Sequence, residues 1–287
     1  MSDALLEVWG DPISHSRSPD LHGAAYRLLG LDWEFARRRV PGEVFDETLA
    51  GALGRVRGLA VTMPLKERAF RAAGWHGRRA ELTGAVNTLF FGAPSRDLPG
   101  IAEWDGASPV GFNTDVGGIV RALGELGIDE LEHARIAGAG ATAASALVAL
   151  SELGARRVDV VARTPERAEP LVAIGGRAGV DVRVSSFDAA HAAVDLTIAT
   201  LPGGAALPDD TADRLADAGG ALFDVAYAPW PSALATRWRP GAAHSGLGML
   251  LHQAVLQVRI FTTGGLDEPL PGEEAVVAAM RSALMGD

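Results

Sequence analysis

Arg135-Ile-Ala-Gly138-Ala-Gly140-Ala-Thr142 opens the stretch that decides the fold. Arg135-Ile-Ala137 reads as a strand and Gly138-Ala-Gly140 as a tight turn. Thr142 to Leu153 reads as a helix and Val158 to Ala162 as a second strand. Strand, glycine turn, helix and strand make a βαβ unit, the sign of a parallel sheet. Glycine in such a turn lets the backbone approach a pyrophosphate, and the helix N-terminus that follows favours an anion. The candidates are Gly138, Ala139, Gly140 and Ala141.

A lone Gly-x-Gly is a weak signal, so the end of the next strand matters. It reads Ala162-Arg163-Thr164-Pro-Glu-Arg167. A site for NAD usually carries a carboxylate there, for the ribose hydroxyls. Arg163 and Arg167 would instead attract a 2′-phosphate through charge-assisted hydrogen bonds. Arginine at a helix start opposes the dipole, so an anionic partner explains the pair better than a solvated surface does. Asp159 lies earlier, inside the strand, where a structural or edge role is expected. The reading is NADP rather than NAD.

Working outward, strands are predicted at Leu5–Trp9, Trp33–Arg39, around Leu59, and at Thr88–Phe91. Helices are predicted at Pro19–Leu29, near Val44–Leu53, near Leu65–Ala73 and at Gly117–Leu126. Ser18 is the expected N-cap of the first, with Gly30 beyond its end. Residues 92–110, rich in Gly, Pro and Asp, read as a surface hairpin or loop. Later strands fall at Asp195–Ala199, Ala221–Val225 and Ala243-His244, and helices at Met249–Phe261 and Glu273–Leu284.

At 287 residues, 48% hydrophobic and 22% charged, the chain has an ordinary globular composition of two-domain length. The absence of cysteine excludes disulfides and thiolate metal sites. The seven histidines show no H-E-x-x-H spacing, so no metal is expected. Met1 to Glu7 lacks a basic region and a long apolar core, so no signal peptide is expected. No stretch reads as a membrane span, and a cytoplasmic location is the expectation. A net charge of −10 argues against a nucleic-acid partner. It also requires any site for an anion to be locally positive.

One residue stands out against this background. Lys66 is the only lysine, and every other basic residue is arginine. An ammonium can lose its proton in a pocket, whereas a guanidinium stays charged. Lys66 follows a short apolar strand in Gly58-Leu-Ala-Val-Thr-Met-Pro-Leu-Lys66, near the strand end where α/β folds place their chemistry. Three further segments carry polar groups beside turns: Gly10-Asp-Pro-Ile-Ser-His-Ser-Arg-Ser-Pro19, Gly84-Ala-Val-Asn-Thr88 and Gly111-Phe-Asn-Thr-Asp115.

Taken in order, these segments resemble the shikimate dehydrogenase family. That family reads G-x-P-I-x-H-S-x-S-P, N-V-T-x-P-x-K, G-A-V-N-T, N-T-D, a glycine-rich nucleotide loop, N-R-T-x-x-R and G-x-G-M-L-x-x-Q-A. The matching segments span residues 10 to 254. The resemblance implies an α/β protein with an N-terminal substrate domain at 1–116, completed by C-terminal helices at 248–287. A Rossmann-like NADP domain is implied at 117–247. It implies NADP-dependent reduction of 3-dehydroshikimate to shikimate, with Lys66 and Asp115 as the proton-transfer pair and no metal. Ser16 and Ser18 match the family's carboxylate-binding serines, and Thr62, Asn87, Tyr227 and Gln253 match other substrate-holding residues. Arg163, Thr164 and Arg167 match its nucleotide-binding positions, and Gly246 and Met249 those beside the nicotinamide. His15 is expected to pack and to hydrogen-bond rather than to act as a base. The implied partner is a small anionic substrate, and the chain is expected to be a monomer or a homodimer.

The chain also departs from the pattern. Ala60 stands for asparagine before V-T, Ala141 for the third loop glycine and Ala162 for the asparagine of N-R-T. Ile198 stands for the asparagine of I-N-A-T, and Ser232-Ala233 for Thr-Pro. Two other readings share the scaffold: an NAD-dependent quinate/shikimate dehydrogenase, and a non-catalytic ligand sensor.

Overall fold

In a computed structural model, the structure describes residues 4–286. Met1–Asp3, part of the stretch read as lacking a signal peptide, lie outside the described residues, as does Asp287. The chain divides into two compact units. One runs to Gly118 and resumes at Leu251; the other is Ile119–Leu250.

The elements before the boundary are β1 (Ala4–Gly10), α1 (Ser18–Leu29), β2 (Trp33–Arg39), α2 (Phe45–Ala52), β3 (Gly58–Val61), α3 (Lys66–Ala72), β4 (Trp75–His76), α4 (Arg78–Thr83), β5 (Thr88–Phe90) and β6 (Val110–Phe112). The chain leaves the first unit within α5 (Thr114–Glu125). There follow β7 (His133–Ala137), α6 (Ala141–Glu152), β8 (Arg157–Ala162), α7 (Glu169–Ala178), β9 (Asp181–Ser186), β10 (Leu196–Ala199), α8 (Asp209–Asp217), β11 (Ala221–Asp224) and β12 (Ala243–Ser245). The chain returns to the first unit within α9 (Leu247–Thr263) and ends in α10 (Glu273–Met285).

The first unit is built on a six-stranded sheet of order β2-β1-β3-β5-β6-β4. β5 runs antiparallel to β3 and β6, and the other pairs are parallel. The C-terminal ends of β1, β3 and β6 therefore share one edge with the start of β5. All four residues of β3 are buried, as a strand paired on both sides requires. Gly58 opens it because a Cβ there would collide with the Phe261 ring of α9. Arg57 donates from Nε to the Phe261 carbonyl at 2.6 Å. Arg17 donates to the carbonyls of Ala283 and Leu284 at 3.0 and 3.3 Å, tying the start of α1 to the end of α10. The C-terminal helices thus complete the first unit.

The second unit is a parallel six-stranded sheet of order β12-β11-β10-β7-β8-β9. Read from β9 this is the doubly wound order, with the direction of winding reversing between β7 and β10. Its core includes Ala137, Val161, Ala199, Leu222 and Trp238.

Several local predictions needed correction. β4, α4 and β9 were not foreseen, and β6 begins at Val110, inside the segment read as loop. α5 begins at Thr114, so Asp115 lies in its first turn rather than in a turn before it. Ser18 is not the N-cap of α1. Arg17 takes that place at φ −92° and ψ 2°, without a side-chain cap bond, and Ser18 is the first helical residue.

Candidate active site

Lys66 is the first residue of α3. A cation at a helix start opposes the dipole, so it needs a compensating anion. Asp115 supplies it: Lys66 Nζ donates to Asp115 Oδ2 at 2.6 Å. The two side chains are only 11% and 6% exposed, so the pair is shielded from bulk water. Removing one partner of such a pair would strand a buried charge.

Local chemistry leaves Asp115 available for this bond. Asn113 Oδ1 accepts from the N–H groups of Asp115 and Val116 at 3.1 and 3.4 Å, so Asn113 caps α5. The Asp115 carboxylate stays free of that duty while lying at the favourable end of the helix. Its second oxygen, Oδ1, accepts from Asn87 Nδ2 at 2.8 Å. Asn87 is itself held on all sides. Its Nδ2 also donates to Thr114 Oγ1 at 2.9 Å, and its Oδ1 accepts from the Thr114 N–H at 2.8 Å and the Thr88 hydroxyl at 2.9 Å. Both amide hydrogens are thus engaged, and a direct bond from Asn87 to a ligand means exchanging one of them.

The sheet edge brings these groups together. Val61 N–H donates to the Asn87 carbonyl at 2.7 Å, and Val86 N–H to the Lys66 carbonyl at 3.0 Å. Thr62, half-buried at the end of β3, bonds through its N–H to the Trp9 carbonyl at 2.9 Å. The loop after β1 reaches the same edge: Asp11 N–H donates to the Met63 carbonyl at 3.0 Å. In that loop Ser16 Oγ donates to Ser18 Oγ at 3.2 Å and accepts from the Ser18 N–H at 3.3 Å. Gln253 is buried in α9. His15 is a correction: it is exposed and its side chain makes no bond among the described residues, so the expected packing and hydrogen bonding are not met.

The second unit carries the glycine turn. Gly138 has φ +127°, and a Cβ there would collide with the Thr200 hydroxyl, so two constraints demand glycine. A Cβ at Gly140 would meet nothing within 4 Å, which leaves the turn open on that side. α6 starts there with no side-chain cap. Ala139 and Ala141 present no polar side chain to the turn. Arg163, Thr164 and Arg167 are exposed just past β8, and the side chains of both arginines are without an ion pair or hydrogen bond among the described residues. Asp159 is occupied elsewhere: it bonds His133 Nε2 at 2.9 Å and Arg157 at 3.1 Å, the structural role expected of it. Gly246 lies against the Val225 backbone, where a Cβ would collide, and Met249 is buried in the first turn of α9. Tyr227 is half-buried in this unit, after β11, whereas the serines belong to the other unit. The open turn, uncapped helix and unpartnered arginines fit a dinucleotide bearing a 2′-phosphate. Among the described residues, no group of three or more His, Cys, Asp or Glu could hold a metal ion, and no helix is long and apolar enough to cross a membrane.

The buried polar residues His22, Thr88 and Gln257 escaped the reading of the sequence. Spacing offered a signal: Ser18, His22 and Tyr26 recur every four residues on α1, and Gln257 follows Gln253 by one turn on α9.

A doubly wound unit with a glycine turn, joined to an α/β unit holding a buried ammonium–carboxylate pair, defines a two-domain dinucleotide-dependent oxidoreductase. The comparisons narrow the class. Residues 8–89 match the family described as the shikimate dehydrogenase substrate binding domain. The chain is 36% identical to the shikimate dehydrogenase (NADP(+)) of Rubrobacter xylanophilus over 99% of its own length and 96% of that protein. Against the enzyme of the same name from Methylobacterium radiotolerans it is 38% identical, over 86% of this chain and 87% of the other. The crystal structure of Mycobacterium tuberculosis shikimate dehydrogenase superposes with a TM-score of 0.77 at 35% identity, covering 97% of this chain and 99% of that one. The Thermus thermophilus enzyme, solved in complex with NADP(H) and shikimate, superposes with a TM-score of 0.74 at 28% identity, covering 98% and 99%. The chain belongs to the shikimate dehydrogenase family.

Proposed function

We propose that this protein interconverts 3-dehydroshikimate and shikimate with NADP(H), the first unit holding the substrate and the second the dinucleotide. The observation that carries the proposal is the buried 2.6 Å contact between the chain's only lysine and Asp115. NADPH, when bound, would supply the hydride for the ring ketone carbon. Lys66 Nζ delivers a proton to the ketone oxygen as it becomes an alkoxide, and takes it back in the reverse direction. Asp115 holds the ammonium in place and steadies its charge through Oδ2, while Asn87 orders the other carboxylate oxygen. A partly water-excluded position strengthens each of these interactions relative to an exposed one.

Ser16 and Ser18, at the start of α1, receive the substrate carboxylate, where hydroxyls and a helix N-terminus together favour an anion. Thr62, Asn87, Gln253 and Tyr227 contact the ring oxygens and the carboxylate. Gly138 and Gly140 with their flanking alanines cradle the pyrophosphate, and Arg163, Thr164 and Arg167 bind the 2′-phosphate. Gly246 and Met249 border the nicotinamide. The absence of a carboxylate at the end of β8 supports NADP over NAD.

The deciding experiment follows NADPH formation with shikimate and with quinate, each with NADP and with NAD. The proposal expects shikimate with NADP to give the highest kcat/KM of the four. A preference for quinate with NAD would replace it with the quinate/shikimate reading, and silence in all four would leave a ligand sensor.

A further inference from the structure

Behind Asp115 the first unit holds a continuous line of buried polar side chains. Starting from the far end, the Tyr26 hydroxyl lies 3.0 Å from His22 Nδ1. His22 Nε2 lies 3.2 Å from Gln257 Oε1. Gln257 Nε2 donates to Thr88 Oγ1 at 3.1 Å and to the Asn87 carbonyl at 3.3 Å. Thr88 Oγ1 donates to Asn87 Oδ1 at 2.9 Å, and Asn87 Nδ2 donates to Asp115 Oδ1 at 2.8 Å. Tyr26, His22, Gln257, Thr88 and Asn87 are each no more than 2% exposed.

The direction of every bond follows from the chemistry of the partners. The Asn87 carbonyl can only accept, so the Gln257 amide nitrogen must face it and Oε1 must face His22. Oε1 can only accept, so His22 carries its hydrogen on Nε2, and Nδ1 accepts from the Tyr26 hydroxyl. Burial pushes His22 down to about 3, against a smaller opposing effect of its bond to Gln257, so the ring is neutral and holds one tautomer. Phe35 stacks on it with ring centres 3.9 Å apart, fixing its plane. Ala60, the strand partner of Thr88, offers no polar atom, so Gln257 is the side chain that reaches the Thr88 hydroxyl from outside the strand pair. The five bonds therefore all point one way, from Tyr26 to the carboxylate. Aligned bonds polarise one another, by roughly 10–30% per bond. Charged groups at the two ends of the line are Lys66 and Asp115 at its near end and Arg57, whose charge acts on Tyr26, at the far end.

We propose that Gln257, Thr88 and His22 are positioning residues whose one-directional hydrogen-bond line aims Asn87 at Asp115 and so fixes the Lys66 ammonium for proton transfer. This rests on the reading of Lys66 and Asp115 as the reacting pair. Gln257, Thr88 and His22 touch no reacting atom; they act through Asn87.

The lone lysine makes a direct test available. In the full chain labelled with 13C-lysine, Lys66 alone contributes a side-chain signal. At pH 7 its Cε resonance is expected to move in Gln257→Leu and in Thr88→Val, and to return to the wild-type position in Thr88→Ser, which keeps the hydroxyl. In the same variants kcat with shikimate and NADP is expected to fall about three- to tenfold in the first two, with KM within about twofold of wild type. Thr88→Ser is expected to recover kcat. A resonance that stays put in both Gln257→Leu and Thr88→Val overturns the proposal, whatever the activity. So does a Thr88→Ser variant as displaced as Thr88→Val, because the hydroxyl would then be irrelevant. Should Gln257→Leu fail to fold, the two Thr88 variants decide alone. If the wild-type chain does not turn over shikimate, the proposed function fails, while the resonance comparison needs no substrate and still judges the line.

Discussion

The surroundings of Asp115 and the turn at Gly138–Gly140 solve opposite problems. Around Asp115, each carboxylate oxygen has a donor, and the groups behind it are buried and bonded in sequence. Around the turn, Gly140 faces open space, α6 has no side-chain cap, and the side chains of Arg163 and Arg167 stand exposed without partners among the described residues. Under the proposed function, the contrast separates chemistry from recognition. A group that must move a proton gains from being fixed before the substrate arrives. A surface that must accept a large anion needs donors left unsatisfied until it comes.

The comparison breaks most readily at Lys66. Lys66→Arg keeps the charge and the ion pair but cannot release the proton, so kcat is expected to fall by about 10²–10⁴. Steady-state NADPH formation measures it, and an arginine variant with near-wild-type kcat removes the proton-transfer role. The turn region predicts a different kind of loss. Arg163→Ala is expected to weaken NADPH binding by about 1–3 kcal/mol and to leave NADH nearly unchanged, as read by fluorescence titration. Equal weakening of both cofactors would contradict the 2′-phosphate assignment.

Two smaller effects sharpen the preorganised side. His22 is neutral when folded, and burial holds it at about 3 against an ordinary value of 6.5. The unfolded chain therefore binds more protons between those values, and stability falls as pH falls through that window. From pH 7 to pH 5 this group should cost the fold ~2 kcal/mol, and below about pH 3 its effect levels off. Urea unfolding of wild type and of His22→Asn at both pH values tests this, since the variant should lose less on acidification by that amount. Asn113→Ala removes the cap of α5 and should destabilise by about 1 kcal/mol. Because the cap is what frees the Asp115 carboxylate, kcat should fall along with the melting temperature. An unchanged kcat would show that α5 holds its first turn by packing alone.

Much of the fold was legible along the chain. The βαβ unit at 135–162 announced itself through local signals: two short apolar strands, a glycine turn and an alanine-rich helix. The elements that escaped were those whose formation depends on neighbours. β4 is two residues long and exists through its pairing with β6 at Trp75–Val110 and His76–Gly111. β6 starts at the last residue of the segment whose glycines and prolines signal a loop, and its pairing with β5 makes it a strand. The site divides in the same way. Asn113 and Asp115 are both competent caps by composition, and only the structure shows that Asn113 takes the cap and Asp115 takes the lysine.

The sequence by itself supplied the groups on which the proposed chemistry rests: a single ammonium after a strand end, a carboxylate near a helix start, a glycine turn followed by arginines instead of an acid. Those choices are local, because backbone angles, side-chain type and charge are properties of a few adjacent residues. Only the tertiary structure decided that His22 bonds a residue 235 positions away and that Gln257 reaches back about 170 positions to Asn87 and Thr88. A hydrogen bond tolerates only a few tenths of an ångström in length. Whether two distant side chains meet within that tolerance depends on how strands and helices pack, which no local pattern encodes.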